Sequence, residues 1–272
     1  MKRFLPLFLL FALSVRAQEV RRVDTLTQLL AVNPATVATG AKLTYEVGGR
    51  VTRGDWGNPR LADWDSASTV TTNDFNFTAI GTGRWVFRDN RDRTIDARIF
   101  GVVPHYATSR QDNSGTDNTV AIQRGMDYLA SLGGGVLEFP AASYKMGAVV
   151  VPPRVWIEGA SGGMYNQAYQ TNAIGLSGTT RFYPPPGFAG DMWWFRGSDG
   201  AALAPAQTTF NSGDGSTITN YMHGSGLRNI AIDSGYAGLR GREIFIDSCF
   251  GVELQNVGHY PYGALDGLYV WG

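Results

Sequence analysis

The chain holds a single cysteine, Cys249, and three histidines in 272 residues. An intrachain disulfide is therefore excluded, and no Cys/His spacing makes a zinc site. Stability has to come from packing and backbone pairing. An excess of one charge is also missing, with 23 Lys+Arg facing 23 Asp+Glu. Without a basic surplus to hold a phosphate backbone, nucleic acid is not an expected partner. Charged residues make up only 17% of the chain and apolar ones 43%, which is too hydrophobic for a disordered segment. Long apolar runs are absent except for Phe4–Leu13, about half of the roughly twenty residues that a membrane-spanning helix takes. Lys2 and Arg3 precede that run, and Val15-Arg16-Ala17 follows it with the side chains of a cleavage site. Residues 1–17 thus read as a secretory signal, and no membrane span is expected after its removal. Cleavage removes Lys2, Arg3 and Arg16, leaving 20 basic against 23 acidic residues and a mature charge of −3. The location expected is secreted, cell-surface or periplasmic.

Glycine is plentiful, at 35 residues spread along the chain without a collagen period, so many turns are expected. Over 18–98, short runs such as Leu43–Val47, Phe75–Phe77 and Arg84–Phe87 alternate with Gly-rich turns, which predicts a small β-rich module. Pro104–Thr116 is polar and turn-forming and reads as a linker. One helix is predicted at Thr119–Ser131, with Asp117 or Asn118 as cap. Val120, Ile122, Met126 and Leu129 form its stripe, and Gly133-Gly-Gly135 forms its stop. Beyond the stop the period changes to two, in Val136–Phe139, Val149–Val151 and Val155–Ile157. The stretch 162–223, rich in Gly, Pro, Asn and aromatics, reads as a long irregular insertion. The last fifty residues repeat. Leu227-Arg-Asn-Ile230 returns as Leu254-Gln-Asn-Val257 after 27 positions, and Ile244-Phe-Ile246 as Leu268-Tyr-Val270 after 24.

A period in the twenties built from short strands and glycine turns suits a parallel β-solenoid, whose rungs bury a face only by stacking at about 4.8 Å. Leucine-rich repeats share the period, but their Leu-x-x-Leu-x-Leu spacing is missing. Asn229 and Asn256, one rung apart, are expected either to stack their amides at a bend or to serve as simple turn residues. If Ile244, Ile246, Leu268 and Val270 point inward, Phe245, Asp247, Tyr269 and Trp271 point outward. The offset then places Phe245 beside Tyr269 and Asp247 beside Trp271. Such aromatic faces next to a carboxylate suit sugar rings, although large aromatics are mostly packing residues.

The run Asp117-Asn-Thr-Val-Ala-Ile-Gln-Arg-Gly-Met126, the triple glycine, Val136-Leu-Glu-Phe-Pro140, Tyr144-Lys-Met146 and Val155-Trp-Ile-Glu-Gly-Ala160 resemble the opening of pectate-lyase-superfamily domains. The resemblance covers about Phe100 to the end. It implies an all-β protein, with a right-handed, single-stranded, pectin-lyase-like parallel β-helix over 99–272. The helix at Thr119–Ser131 would cap that solenoid. Members include secreted polysaccharide lyases, rhamnogalacturonase-like and epimerase-like enzymes, and tailspike depolymerases. Gly54-Asp-Trp-Gly57, Trp64-Asp-Ser-Ala-Ser68 and Gly83-Arg-Trp-Val86 are similar to the small module that precedes many tailspike-like helices. The family's Gly-Asp-Gly before the helix stands here as Asn113-Ser-Gly115, and its second acid as Asn118, so roles tied to those acids do not transfer. The strand-like Leu268–Trp271 ends without a cap, and a truncated solenoid is therefore expected.

By this resemblance the chain would degrade an extracellular, acidic polysaccharide as a lyase or glycoside hydrolase. The alternative is a non-catalytic glycan-binding adhesin or tailspike-like structural part, and an epimerase shares the lyase's proton-abstraction chemistry. A lyase of this family uses Arg or Lys as base with Ca²⁺ held by Asp, so Ca²⁺ is implied only if the chain is a lyase, and no other cofactor is expected. Hydrolysis needs two carboxyls. The outward acids available are Asp233, Asp247 and Glu253, and the candidate catalytic residues are these three, with Asp247 foremost. Phe245, Tyr269, Trp271 and Arg242 are the candidate substrate-binding residues. None forms a diagnostic motif, and each of the charged ones reads first as a solvated surface charge. Cys249 reads as a packed thiol and not a nucleophile. A homotrimer is implied by the tailspike-like members.

Overall fold

The computed structural model describes residues 20–33, 43–56, 59–67, 76–78, 83–88, 93–106, 114–161, 178–196, 207–211, 217–233, 241–247, 249–260 and 266–271. The signal expected at 1–17 lies outside them. The chain divides into two compact units, Met1–Gly54 with Asn58–Arg88, and Asp55–Gly57 with Asp89–Gly272.

The first unit is a five-stranded sheet in the order β1-β2-β3-β5-β4, made of β1 (Val20–Val23), β2 (Thr44–Val47), β3 (Arg60–Asp65), β4 (Asn76–Thr78) and β5 (Arg84–Phe87). β1 and β2 are parallel, and the other pairs are antiparallel. The parallel pair needs a crossover, and α1 (Leu26–Leu30) supplies it. The Thr25 hydroxyl and the Gln28 side chain cap this helix reciprocally. Trp85 and Phe87 alternate inward from β5, and Tyr45 meets Trp85 edge-on at 5.4 Å.

The second unit stacks three parallel sheets. The first sheet holds β6 (Thr94–Asp96), β7 (Gly135–Phe139), β10 (Val155–Gly159), the Gly226–Arg228 part of β14 (Thr217–Asp233) and the Glu253–Gln255 part of β16 (Cys249–Tyr260). The second sheet holds β8 (Ser143–Lys145), β11 (Arg181–Tyr183), Ala231–Ile232 of β14 and Gly258–His259 of β16. The third holds β9 (Val149–Val151), β12 (Trp193–Arg196), β15 (Arg242–Asp247) and β17 (Asp266–Trp271). The chain visits the three sheets in turn and returns one strand further along each, which makes a parallel β-solenoid. β13 (Gln207–Asn211) folds back antiparallel on Thr217–Tyr221 of β14, as a hairpin outside the three-sheet path.

Alternate residues point inward and stack from rung to rung. Leu137, Ile157 and Leu227 fill the first side, Tyr144, Phe182 and Ile232 the second, and Val149, Trp193 and Ile244 the third, all buried. Phe182 touches Phe139, Tyr144 and Trp193 at ring separations of 5.0, 5.5 and 5.0 Å. Tyr144 keeps its hydroxyl satisfied by donating to the Pro140 carbonyl at 2.9 Å.

Both sequence repeats appear as register. Leu227 and Ile230 pair with Leu254 and Val257, and Phe245 pairs with Tyr269. At the corner between the first and second sheets, Asn229 and Asn256 adopt left-handed backbone, with φ of 57° and 50°, a conformation that Asn tolerates better than most residues. The Asn256 amide donates to Asn229 Oδ1 at 3.0 Å, so these residues both turn the chain and stack.

Three expectations are corrected. The stretch 162–223 is not one irregular insertion, because β11 and β12 within it are rung strands and β13 with the start of β14 forms a hairpin. Residues 162–177, 197–206 and 212–216 lie outside the described residues. The runs Arg181–Tyr183 and Trp193–Arg196 are three and four residues long, too short to show a period of two. Leu268 and Val270 keep the expected register but are 52% and 63% exposed. Among the described residues no strand stacks beyond β17 to cover them. Val120 belongs to no stripe and is exposed, whereas Ile122, Met126 and Leu129 are buried.

The helix α2 (Thr119–Ser131) packs beside β7 and β9. Its Gln123 amide accepts from the Val150 N–H at 2.8 Å and donates to the Val150 carbonyl at 2.9 Å, which occupies both polar groups of that edge-strand residue. Asn118, at the cap position, instead bonds the Val103 N–H and carbonyl, and Asp117 Oδ1 accepts from the Thr119 N–H at 2.9 Å.

Candidate functional site

The outer face of the third sheet brings several of the sequence candidates together. Trp193 and Phe195 point inward from β12, so Trp194 and Arg196 point outward, and β15 repeats this with Ile244 and Ile246 inward and Phe245 and Asp247 outward. Parallel register then makes two rows across the strands. One runs Val150, Trp194, Phe245 and the other Arg196, Asp247, and on β17 the backbone positions of Tyr269 and Trp271 come next in register, their side chains lying outside the described ones. The Trp194 and Phe245 rings stack at 5.9 Å with 21° between their planes. A guanidinium lies over each ring, Arg242 at 3.5 Å from the Phe245 centroid and Arg196 at 4.8 Å from that of Trp194.

Arg242 is held in place. Its Nε and Nη2 both donate to the Asp191 carboxylate at 2.7 Å, a bidentate pair with both side chains about a quarter exposed, at 26% and 21%. Its backbone N–H also reaches Asp191 Oδ1, at 3.3 Å. The ring stack is therefore flanked at one end by a fixed ion pair and at the other by Arg196, with Asp247 next to Arg196 across the strands. Just past Asp247, the Cys249 thiol donates to the Phe195 carbonyl at 3.6 Å. Burial pushes that thiol up to about 12, outweighing the Asp247 backbone hydrogen bond that pulls it down. A thiol held that high carries almost no thiolate at neutral pH.

The three candidate acids do not meet on one face. Glu253 is exposed on the first sheet, where it accepts from the Gln255 amide. Asp233 stands at the end of the second-sheet part of β14. It alternates with the inward Ile232 but is covered and not solvated, being 2% exposed and accepting from Arg181 Nε at 3.1 Å in an ion pair with both side chains enclosed. Arg181 also lies 4.8 Å from the Tyr183 ring centroid. Only Asp247 shares the third sheet with the aromatic row.

Trp194, Arg196 and Asp191 escape sequence reasoning because they sit inside the stretch that reads as an insertion. The alternation of Trp193-Trp-Phe-Arg196 emerges only from its register with Val149–Val151 one rung earlier. Among the described residues no group of three His, Cys, Asp or Glu is placed to hold a metal ion. Asp191, the additional acid near the aromatic row, is already engaged by Arg242.

No protein-family model matches the chain, and no curated protein does. Solved structures do. The tailspike protein gp49 of Acinetobacter baumannii bacteriophage Fri1, a capsular polysaccharide depolymerase, aligns with 93% of this chain at a TM-score of 0.62 and 17% identity. The enzymatically active domain of bacteriophage CBA120 tailspike protein 2 aligns with 88% of this chain at 0.49 and 12% identity, over 34% of its own length. The chain spans 40% of the length of the Fri1 tailspike. At that identity the likeness shows the fold alone, the parallel β-solenoid described above. No helix among the described residues is long and apolar enough to cross a membrane.

Proposed function

We propose that this chain is part of a secreted, polysaccharide-degrading protein that holds a glycan along the outer face of its third sheet. The observation that carries the reading is the stacked Trp194–Phe245 pair with Arg196 and Arg242 over its rings. Sugar rings present C–H faces to such carbons while their hydroxyls meet the flanking guanidiniums and carboxylates. The Fri1 tailspike, described as a capsular polysaccharide depolymerase, supports a capsule-like substrate. Asp191 and Asp247 offset the charges of Arg242 and Arg196, so an acidic glycan would be held there by hydrogen bonds to the guanidiniums and not by net charge, and Asp247 is the residue placed to take or give a proton beside it. In the same reading the β-helix is right-handed, α2 closes its first end through Gln123, the signal at 1–17 is cleaved, and the whole protein is a homotrimer.

A second reading, glycan binding without cleavage, draws on the scatter of Asp233, Asp247 and Glu253 over three sheets. Hydrolysis by two carboxyls about 5 to 9.5 Å apart asks for a partner on the same face, and Asp191 is engaged with Arg242. Incubation with a panel of acidic and neutral polysaccharides separates the two. Elimination gives products that absorb in the ultraviolet, hydrolysis gives reducing ends without that absorbance, and binding alone gives retention on a glycan column with neither. Cleavage is expected, with Asp247→Asn lowering its rate about 100-fold or more while retention persists. Undiminished cleavage by that variant would remove Asp247 from the chemistry.

A further inference from the structure

We infer that the outer face of the first sheet is a second glycan-binding site, built around Trp156 and specific for neutral sugars. Trp156 points outward between the buried Val155 and Ile157. Its indole is fixed at both ends of the ring system. The Nε1–H donates to the Gly224 carbonyl at 3.1 Å, and the ring lies across Gly226, where a Cβ would come within 2.8 Å of it and would also strike the Glu253 carbonyl. Glycine at 226 is what lets the ring lie flat against the sheet. Arg228 lies over the ring, 5.5 Å from its centroid, and donates from Nη2 to Glu158 at 2.6 Å, with the two side chains 34% and 27% exposed. A flat, half-exposed indole next to a paired donor and acceptor matches a pyranose, whose C–H face stacks while vicinal hydroxyls both give and accept hydrogen bonds.

The charge on this face selects among occupants. Its strands carry four carboxylates, Asp96, Glu138, Glu158 and Glu253, against the single guanidinium of Arg228, with Arg98 added from the following turn as the partner of Asp96. A polyuronate or other polyanion would be repelled from this surface. A second protein copy is a poor fit as well, because the core of a protein interface is depleted of charged side chains, whereas Trp156 and Val136 are the apolar residues here. A neutral glycan loses nothing to these charges and finds acceptors for its hydroxyls. This site stands apart from the third-sheet row and does not depend on it.

The test is fluorine NMR of the full chain labelled with 5-fluorotryptophan, titrated with dextran, galactomannan, alginate and polygalacturonate. Trp156→Phe and Trp194→Phe assign the two resonances by their loss. The Trp156 signal is expected to move with at least one neutral polymer and with neither acidic one, to do so equally in Trp194→Ala, and Trp156→Ala is expected to bind that polymer at least tenfold more weakly. A Trp156 signal that no neutral polymer moves overturns the site, whatever Trp194 does. Movement with the acidic polymers overturns its specificity. A shift that follows protein concentration without glycan assigns the face to a second copy and overturns it too. Movement of Trp194 alone leaves the third-sheet reading standing, and movement of Trp156 alone removes that reading instead.

Discussion

Phe245 owes its role to two neighbours that no local window of sequence reveals, Trp194 from 51 positions earlier and Arg242 folded over its ring. Phe245→Leu keeps most of the apolar volume and removes the ring. A sugar ring stacked on it gains about 1 kcal/mol, so glycan affinity measured by calorimetry is expected to fall about fivefold. An unchanged affinity would mean that the ring does not meet the ligand. Cys249 carries a different consequence. Its thiol is raised from an ordinary 9.0 to about 12 by burial, so the folded state holds the proton more tightly than the unfolded state. That contribution is complete below pH 9 and is lost as the pH climbs through 12. Urea denaturation at about pH 8 and about pH 11 should show a smaller alkaline loss in Cys249→Ala than in the native chain. Tyr144 is raised in the same direction by burial, so a residual loss remains in the variant.

Strands are legible in the sequence where they are longest or most repetitive. The 27- and 24-residue offsets alone set the register of β14 with β16 and of β15 with β17, because identical apolar spacing has to recur when rungs stack. β11 and β12 stay hidden since three- and four-residue strands flanked by Pro and Gly carry no period. The enclosed Arg181–Asp233 pair is hidden for a related reason, since 52 positions separate the partners and a carboxylate looks the same in sequence whether it is buried or exposed. Removing one member leaves an uncompensated buried charge. Asp233→Ala is therefore expected to cost about 3–5 kcal/mol, while replacing both partners by apolar residues of similar volume costs far less. Chemical denaturation of the single and double variants checks this, and equal losses would show that shape, not charge, dominates there.

At the scale of the whole molecule, the three-sheet path turns a one-dimensional repeat into three separate outer faces with different chemistry. The first is acidic with a pinned Trp156, the second encloses an ion pair, and the third carries stacked aromatics under guanidiniums. A solenoid makes this division unavoidable, since each rung contributes one short strand to every face and neighbours on a face come from distant sequence. The third face is the one on which the proposed activity rests. Affinity electrophoresis through gels containing each polysaccharide of the panel tests it, running the native chain beside the double variant Trp194→Ala, Phe245→Ala after circular dichroism has shown that both are folded. The native chain is expected to be retarded by an acidic polysaccharide and the double variant to migrate freely. Equal retardation of the two, or free migration of the native chain in every gel, would contradict a glycan held on the third sheet.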